Sequence, residues 1–350
     1  MHTKNVVFDM NNTPENVIVI PSPLWYLPTN DGYLSLGYKH LRTVKRIIEK
    51  EKIQFDIIHS HFVWSAGFVG VQLKKNYSVP LVITAHAYDV NDLPFRSKKW
   101  KNKIREVLLE ADHVITVCHK NEEYINRIQI DSPISVIPSG FRKELFYQRD
   151  TDESRFKLNL PLDKKIILTV GSLDEIKGHK YLIDSIKELV NCRKDVICII
   201  IGEGESRKTL ESRIKLNGLD KHVILKGFRP RREIVVWINA CDVFVLPSLS
   251  EGSPTVLFES LACGKPFVGS MVGGVPEYIT SNDYGILVKP KNSNVLATAL
   301  GEALDKNWDT KLIVEHSKKY DWRNSCKQKI DIYDGLLFNN QLNDQYKVYN

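Results

Sequence analysis

Short runs of apolar, mostly β-branched residues alternate with longer segments of helical periodicity along most of this 350-residue chain. In the helix-length segment 34–52, for example, apolar residues recur at helical spacing at Leu41, Val44, Ile47 and Ile48. Runs that are apolar throughout indicate parallel strands covered on both faces. The runs that we interpret as strands are DIIHSH (56–61), LVITAH (81–86), HVITVC (113–118), ISVIP (134–138), KIILTV, DVICIII, HVILKG, DVFVLP and PFVGS. Two successive β/α sets predict an α/β fold with two Rossmann-like, doubly wound domains.

The length is comfortable for two domains of ordinary size. We place the boundary in the polar stretch 146–164, which contains no apolar strand run. This predicts an N-terminal domain over 1–150, a C-terminal domain over 151–316 and a tail over 317–340. We expect the tail to pack back on the first domain as a helix. Its apolar residues on a helical pattern are Trp322, Ile330, Ile332 and Tyr333.

The composition, 43% hydrophobic and 26% charged residues, is that of a soluble globular protein. No apolar run approaches the roughly 18 residues that cross a bilayer, and the N-terminus has no signal-peptide pattern. The six cysteines form no CxxC pair, so we interpret them as buried, reduced thiols rather than metal ligands. These features predict a cytoplasmic protein.

The net charge of +7 is partly clustered. Residues 96–105, RSKKWKNKIR, contain six basic residues and no acid, with Trp100 and Ile104 between them. One interpretation is a helix in peripheral contact with the anionic inner face of the cell membrane, with Trp100 inserted among the headgroups. The other is a solvated helix face, and the sequence favours neither. No nucleic-acid-binding motif accompanies the charge, so nucleic acid is not a predicted partner.

Two glutamates separated by seven residues, Glu251 and Glu259, follow the predicted strand DVFVLP. The turn EGSP would then lie at the carboxyl end of a parallel strand, where open α/β sheets bind ligands. The amides of Thr255, Val256 and Leu257, at the start of the next helix, would bind a diphosphate. Glu251 would accept hydrogen bonds from sugar hydroxyls, and Glu259 would reach a ribose diol. By itself, the spacing is equally compatible with a solvated loop acid and a helix-surface acid.

Four more strand ends carry glycine-rich or charged turns: GSLDEIKGH (171–179), GEG (202–204), KGF (226–228) and GGVPE (273–277). Glycine lets the backbone approach a ligand closely, and Lys177 is placed to neutralise phosphate charge. Each feature alone is also compatible with a plain turn or a surface lysine. Their convergence on one sheet edge predicts a single cleft shaped for a nucleotide.

The second half of the chain resembles the donor-binding domain of glycosyltransferase family 4, the retaining group with the GT-B fold. The resemblance covers most of 165–290 and rests on GSL…KGH, GEG, KGF, ACDVFVLPSLSEGSPTVLFESLACGKPFV (240–268) and GGVPE. In the first half it rests on DIIHSH, TAHAYD (84–89), ADHVITVC (111–118) and IPSG (137–140). In the tail, YDWRNSCKQKIDIYDGLL resembles the family's closing helix, which crosses back to the N-terminal domain.

The resemblance implies a role for each matching position that faces the transferred sugar. Glu251 and the turn residues Gly252, Ser253 and Pro254 would hold that sugar. His86, at the end of a strand in the facing domain, would lie beside it.

The resemblance also implies which positions bind the nucleotide. The amides of Thr255 and Val256, together with Lys177, would bind the diphosphate. Glu259 would bind the ribose, and Phe228 with its neighbours would line the base. The remaining donor-binding positions are Gly171, Ser172 and Gly202. The predicted catalytic residues are His86, Lys177 and Glu251.

Two departures from the family pattern affect these expectations. Ser172 stands where members usually have an arginine, so half of the usual cationic pair is missing. The chain also begins near the family's third strand, and no Gly-Gly loop precedes residue 30. We therefore expect an N-terminal domain that is short of its first strand and Gly-rich loop. This leaves open a start assigned too late, a remodelled acceptor half or an inactive chain.

The resemblance implies a hexosyltransferase that moves a sugar from a nucleotide sugar, such as a UDP- or GDP-sugar, with retention of anomeric configuration. The acceptor would be a saccharide or lipid-linked glycan of cell-envelope polysaccharide or glycan biosynthesis. We expect no cofactor and no essential metal, because the predicted cleft has no DxD-type element. The alternatives are a sugar-nucleotide epimerase of the same fold and an inactive paralogue that serves as a binding subunit. A glycogen-type phosphorylase would need a cofactor lysine motif, which we do not find.

Overall fold

The computed structural model describes residues 14–25 and 29–347. The first half of the chain forms a four-stranded parallel sheet with the strand order β1-β2-β3-β4. Its elements are α1 (Asn30–Glu51), β1 (Ile58–His61), α2 (Phe68–Tyr77), β2 (Leu81–Ala85), α3 (Tyr88–Asn91), α4 (Lys98–Leu109), β3 (His113–Thr116), α5 (His119–Asn126) and β4 (Ile134–Val136).

The second half forms a six-stranded parallel sheet with the order β10-β9-β8-β5-β6-β7. Its elements are α6 (Thr151–Lys157), β5 (Lys165–Val170), α7 (His179–Cys192), β6 (Val196–Ile201), α8 (Arg207–Leu216), β7 (Val223–Gly227), α9 (Arg231–Ala240), β8 (Val243–Leu246), α10 (Thr255–Ala262), β9 (Phe267–Ser270), α11 (Val275–Tyr278), β10 (Gly285–Val288), α12 (Ser293–Asp305) and α13 (Thr310–Ser317). The strand order reverses between β5 and β8, which makes their carboxyl ends the switch point of a doubly wound sheet.

Both faces of the second sheet are buried. Leu168 and Phe244 belong to the apolar cluster on one face, and Ile167 and Val245 belong to the cluster on the other. Neighbouring strand residues point to opposite faces, so a strand covered on both sides must be apolar throughout, as the sequence pattern predicted. The prediction of two Rossmann-like domains is confirmed by these two sheets with alternating helices.

The tail returns to the first domain as α14 (Trp322–Lys347). At its start, the Trp322 N–H donates to the Phe141 carbonyl at 3.0 Å. Farther along, apolar residues of α14 pack against residues of β2 and β3 and against Ile137. The helix residues in this cluster are Ile332, Tyr333 and Leu336, and their partners include Val82 and Ile115. The tail therefore ties the two halves of the molecule together.

The stretch 146–164, which we expected to be a polar boundary, is structured. Phe146 is fully buried in the core of the second domain. The Asp150 carboxylate accepts a hydrogen bond from the Glu153 N–H at 2.8 Å and caps α6. The buried Arg155 pairs with Asp242 at 2.6 Å. The domain limits themselves stay predictions.

Helix α4 contains most of the basic stretch 96–105. Trp100 is only 3% exposed and Ile104 is fully buried in the core of the first domain. The ring of Trp100 lies 5.5 Å from that of Trp64. The expectation that Trp100 inserts among lipid headgroups is therefore wrong, because this side chain fills the core. None of the described helices combines the length and apolar character needed to cross a bilayer.

The structure also bears on three other points of the sequence analysis. Strand β10 was missed by the sequence reasoning, although it is as long as β8 and β9. Cys192 and Cys326 are exposed rather than buried, although all six cysteines are free.

The expected absence of a first strand and Gly-rich loop concerns the start of the chain, where residues 1–13 and 26–28 lie outside the described residues. Within 14–25 there is no strand.

Candidate functional site

The loop that follows β8 presents Glu251 at the switch point of the second sheet. The carboxylate is buried and accepts hydrogen bonds from the Lys177 Nζ and the Ser248 hydroxyl, both at 2.7 Å. The Leu249 N–H also donates to the Ile176 carbonyl at 2.7 Å. These bonds join the loop after β8 to the loop after β5, so Glu251 and Lys177 form one unit.

The loop after β5 reaches Glu251 because of a glycine. Gly178 has a φ of +69°, and a Cβ at this position would lie 2.0 Å from the Pro247 carbonyl oxygen. Lys177, the preceding residue, is thereby directed across the switch point. Ser172 has no charge, and its carbonyl accepts a hydrogen bond from the His179 Nε2 at 3.0 Å. Burial lowers the pKa of His179 to about 4, so this imidazole is neutral and does not replace the missing arginine.

The GEG turn after β6 packs tightly on the turn after β5. Gly202 has a φ of +149°, and a Cβ there would lie 1.8 Å from the Gly171 carbonyl oxygen. The Gly202 N–H donates to the Gly227 carbonyl at 3.0 Å, and the Gly171 N–H donates to the Ile201 carbonyl at 2.9 Å. The ends of β5, β6 and β7 are therefore held together by main-chain contacts.

Helix α10 begins at Thr255, directly after the EGSP turn. The Leu257 N–H donates to the Pro254 carbonyl at 3.0 Å, so this amide is already used, contrary to our expectation. Among the described contacts, the amides of Thr255 and Val256 are left for an anion. A helix N-terminus attracts negative charge through its unpaired N–H groups and its dipole.

Glu259 is not a helix-surface acid, because it is only 3% exposed. Its carboxylate accepts a hydrogen bond from the guanidinium of Arg231, at the start of α9. Burial raises the pKa of Glu259 to about 7, while Arg231 acts in the opposite direction. Sequence reasoning missed Arg231, although the basic run RPRR directly after KGF was a signal. The nearby Phe228 is 70% exposed at the end of β7.

The glycines of GGVPE approach protein backbone. Gly273 has a φ of +53°, and a Cβ there would lie 1.6 Å from the Glu251 carbonyl oxygen. A Cβ on Gly274 would lie 2.3 Å from the Gly252 carbonyl oxygen and 2.6 Å from the Cys118 Cβ. We expected these glycines to admit a ligand. In the structure they let the turn pack under the EGSP loop and against the first domain.

The same segment connects the two domains through side chains. The Glu277 carboxylate accepts hydrogen bonds from the His119 and Lys120 N–H groups, both at 2.8 Å, at the start of α5. The Tyr278 hydroxyl donates to the Val117 carbonyl at 2.6 Å. From the EGSP turn, the Ser253 hydroxyl accepts from the Ser139 N–H at 2.9 Å. The turns of the second domain therefore hold the facing edge of the first.

His86, in the facing domain, follows β2 and lies against the EGSP turn. A Cβ on Gly252 would lie 2.3 Å from the His86 carbonyl oxygen. The buried Asp89 accepts hydrogen bonds from the N–H groups of His86 and Ala87, both at 3.1 Å, and from that of Val63 at 2.8 Å. The structure therefore brings the His86 loop and the Glu251 loop into contact across the cleft, while a role of His86 beside the sugar stays a prediction.

Two histidines that sequence reasoning left without a role lie beside His86. The His61 Nδ1 is 3.0 Å from the His86 Nε2, and the His59 Nε2 is 2.7 Å from the Thr84 hydroxyl. Burial is the main cause that lowers the pKa of all three imidazoles, to about 3 for His59 and about 4 for His61. The alternation in DIIHSH was the available signal, because it places His59 and His61 on one face of a strand. No group of metal-ligating side chains occurs in the part of the chain that the structure describes.

Two family models match the chain. The model for glycosyl transferases group 1 matches residues 150–320, and the model for glycosyltransferase family 4 matches residues 6–145.

Curated relatives extend the match over most of the chain. A Bacillus subtilis protein, whose name assigns it to teichuronic acid biosynthesis as a glycosyltransferase, is 31% identical over 77% of this chain and 67% of its own length. An uncharacterized glycosyltransferase of Methanocaldococcus jannaschii is 30% identical over 93% of this chain and 87% of its own length.

Among solved structures, sucrose-phosphate synthase from Thermosynechococcus elongatus is 25% identical, with a TM-score of 0.77 over 93% of this chain and 86% of that one. Anabaena HepE in complex with UDP-glucose is 22% identical, with a TM-score of 0.74 over 85% and 82% of the two chains. These likenesses identify the two-domain architecture as the GT-B fold.

Proposed function

The chain belongs to the glycosyltransferases that combine a family 4 domain with a group 1 domain, and from this membership we propose how its cleft transfers a sugar. The enzyme is a retaining, nucleotide-sugar-dependent hexosyltransferase of glycan biosynthesis. The observation that carries the proposal is the Lys177–Glu251 pair, with a nitrogen–oxygen distance of 2.7 Å, directly before the N-terminus of α10. The Lys177 ammonium, the Glu251 carboxylate and the N-terminus of α10 are thus close together at the end of β8.

The diphosphate of the donor would bind at the start of α10. Its oxygens would accept hydrogen bonds from the Thr255 and Val256 amides and from Lys177. As the bond from the anomeric carbon to the diphosphate breaks, negative charge grows on the leaving group, and these donors stabilise it. The acceptor hydroxyl attacks from the face that the diphosphate leaves, and its proton passes to the departing phosphate oxygen. Because Ser172 has no charge, Lys177 is the cation to which we assign this role.

The transferred sugar would lie beside the Glu251 carboxylate and the His86 side chain, whose loops are in backbone contact at Gly252. Glu251 is held by Lys177 and Ser248, so its remaining acceptor capacity is oriented for sugar hydroxyls. We assign it this binding role and not that of a nucleophile. Gly252 is required in the turn because the His86 backbone is too close for a side chain.

The nucleoside would bind toward β7. Glu259 would accept hydrogen bonds from the ribose diol, which requires the ribose to replace Arg231 or to share the carboxylate with it. Phe228, exposed at the end of β7, would contact the base. We propose UDP or GDP as the nucleotide, with no metal or cofactor.

The acceptor that we propose is a saccharide or lipid-linked glycan of cell-envelope polysaccharide synthesis. The relative named for teichuronic acid biosynthesis supports this class. The free cysteines favour a reducing compartment, and we propose that the enzyme acts in the cytoplasm. Arg96, Lys98 and Lys99 are exposed, so electrostatic contact with an anionic inner membrane face remains part of the proposal.

Nucleotide binding and transfer test the proposal separately. Calorimetry with UDP and GDP is expected to show binding of one of them, and Lys177→Gln is expected to weaken it. Incubation with UDP-glucose or GDP-mannose and a saccharide-lipid extract is expected to release a nucleoside diphosphate only when the extract is present. Absence of heat with both nucleotides would contradict the donor site. Conversion of the nucleotide sugar without an acceptor would identify an epimerase instead.

A further inference from the structure

An aromatic side chain is held in solvent beside His86. Phe62, the residue directly after β1, is 48% exposed, and its ring centroid lies 4.6 Å from that of His86. The preceding residue, His61, is exposed on one side, while its ring packs against those of His59 and His86 at 4.5 and 5.2 Å, which accounts for the desolvation that lowers its pKa. An exposed phenyl ring beside two imidazoles places an apolar face next to hydrogen-bonding nitrogens.

The backbone of Phe62 is built to keep this arrangement. Its φ is +73°, a region that bulky residues rarely adopt and that is maintained only by surrounding contacts. The Phe62 N–H donates to the Thr84 carbonyl and its carbonyl accepts from the Gly67 N–H, both at 2.9 Å. The buried Asp89 binds the N–H groups of both Val63 and His86. One carboxylate therefore fixes the Phe62 loop and the His86 loop relative to each other.

The pattern of apolar and polar groups matches one ligand class. A pyranose ring has a face of C–H groups and an edge of hydroxyls. Stacking on Phe62 would remove the C–H face and the phenyl ring from water, which is favourable for apolar surface. The neutral imidazole of His61 would meet the hydroxyls, since one of its nitrogens faces His86 and the other does not.

The position of Phe62 assigns this sugar to the acceptor. The Gly252 turn, which belongs to the donor side, packs against the His86 carbonyl. Phe62 contacts the His86 imidazole instead and belongs to the first domain. We propose that Phe62 is the stacking platform of the acceptor subsite and takes the C–H face of a pyranose, with His61 binding its hydroxyls. This inference rests on the proposed transferase function.

Saturation-transfer NMR with three methyl pyranosides (glucoside, galactoside and mannoside) tests the platform on the full chain in the presence of UDP. The wild-type protein is expected to transfer saturation to the ring C–H protons of at least one of them. Phe62→Leu is expected to reduce that signal about fivefold, the equivalent of one aromatic stacking contact, whereas Phe62→Trp retains it. Phe95→Leu is the matched control, because Phe95 is 47% exposed on the same domain but contacts Tyr124 rather than His86.

The outcomes separate this inference from the function on which it rests. Equal signals for wild type and Phe62→Leu, or no signal from any pyranoside with the wild type, would overturn the platform. A loss of UDP affinity in Phe62→Leu would also overturn it, because the residue would then act on the donor side. If neither UDP nor GDP binds the wild-type protein, the proposed function fails before the platform is tested. Unchanged melting temperatures of the two Phe62 variants are required for the comparison. If Phe62→Leu does not fold, Phe62→Asn replaces it, because asparagine removes the ring and tolerates the positive φ of this position.

Discussion

At the scale of single residues, the acids of the candidate site are buried and paired. Glu251 is held by Lys177 and Ser248, and Glu259 by Arg231. A buried carboxylate without a partner would cost several kcal/mol, on the order of 3–5. These pairs therefore hold the carboxylate oxygens in defined orientations within the cleft.

Replacing Lys177 by glutamine keeps a hydrogen-bond donor for Glu251 but removes the charge. We expect the rate of transfer to fall by about 10²–10³, because the cation stabilises charge that develops only in the transition state. The melting temperature should change little by comparison. Lys180→Gln is the control, since Lys180 pairs with the exposed Glu175 in the same segment. A parallel loss of stability and activity in Lys177→Gln would assign the residue a structural role.

Glu259 makes the molecule sensitive to pH near neutrality. Its pKa is raised from 4.5 to about 7 by burial, so the folded protein retains a proton that the unfolded chain releases. This contribution to the free energy of unfolding is fully present below pH 4.5 and is lost as the pH rises through about 7. We expect the melting temperature of the wild type to fall more between pH 5 and 8 than that of Glu259→Gln.

Ionisation of Glu259 has the opposite effect on binding. A carboxylate accepts hydrogen bonds from a ribose diol more strongly than a protonated carboxyl does. We expect the affinity for the preferred nucleoside diphosphate to rise through pH 7 in the wild type, relative to Glu259→Gln measured at the same pH by calorimetry. Using the same ligand for both proteins cancels the titration of its phosphates. Identical pH dependences in the two proteins would refute the ribose role.

At the scale of elements, glycines allow the turns after β5, β6, β8 and β9 to pack on one another. Gly178, Gly202 and Gly273 all have positive φ and would place a Cβ within 2.0 Å of a carbonyl carried by a neighbouring turn. Such contacts admit no side chain at all. The geometry of the cleft is therefore a property of the turns together, and a change in one turn displaces its neighbour.

The turn at Gly273 offers a direct measure of this packing. Gly273→Ala adds a Cβ that would lie 1.6 Å from the Glu251 carbonyl oxygen, while Gly218→Ala adds one in open space. Both glycines have positive φ, +53° and +65°, so both variants carry the cost of a left-handed alanine. We expect Gly273→Ala to lower the free energy of unfolding further by at least about 1 kcal/mol in urea titrations. Equal losses would show that the Gly273 turn moves freely.

At the scale of the whole molecule, the cleft is closed at its base by contacts between the domains. Glu277 caps α5, Tyr278 binds the Val117 carbonyl, and α14 covers one face of the first sheet. The turns after β8 and β9 thus also hold the His86 loop in place. Motion of one domain relative to the other has to break these bonds first.

Glu277→Ala should loosen this contact without changing either sheet. We expect faster hydrogen exchange at the His119 and Lys120 amides, because they lose the carboxylate that accepts their hydrogen bonds. The control is Glu123→Ala, which removes an exposed pair with Lys120 on the same helix. Exchange that is equally slow in both variants would mean that the domains stay docked without Glu277.

The basic surface around α4 predicts membrane binding by charge alone, because Trp100 is buried. Each cation near an anionic surface contributes about 1 kcal/mol, and salt screens exposed charges over about 8 Å at physiological ionic strength. We expect the protein to pellet with anionic vesicles at low salt and to be released at high salt. Changing Lys98, Lys99, Lys101 and Lys103 to Gln should abolish pelleting.

The control changes four exposed lysines of the second domain to Gln: Lys157, Lys208, Lys215 and Lys221. No pelleting of the wild type at low salt would leave a soluble acceptor as the better proposal.

The sequence by itself determined the two sheets and the position of the turns that follow the strands of the second sheet. Strand runs such as KIILTV are apolar because both faces are covered, and a turn such as EGSP is recognisable because its neighbours in sequence carry the signal. Both depend on local pattern, so β5 and the loop before α10 were predictable. Strand β10 was missed although it is as long as β8 and β9, so length alone did not decide which runs were recognised.

Only the tertiary structure decided which side chains are partners and which are buried. Arg231 and Glu259 lie 28 positions apart in the chain, and His61 and His86 lie 25 apart, so no periodicity relates them. The basic residues around Trp100 in the sequence were compatible with a lipid anchor, but in the structure its side chain fills the core of the first domain. Strands and turns form according to the residues next to them in the chain, so a local pattern predicts them. Side-chain pairing and burial depend on how distant elements pack together, and no local spacing in the sequence records that packing.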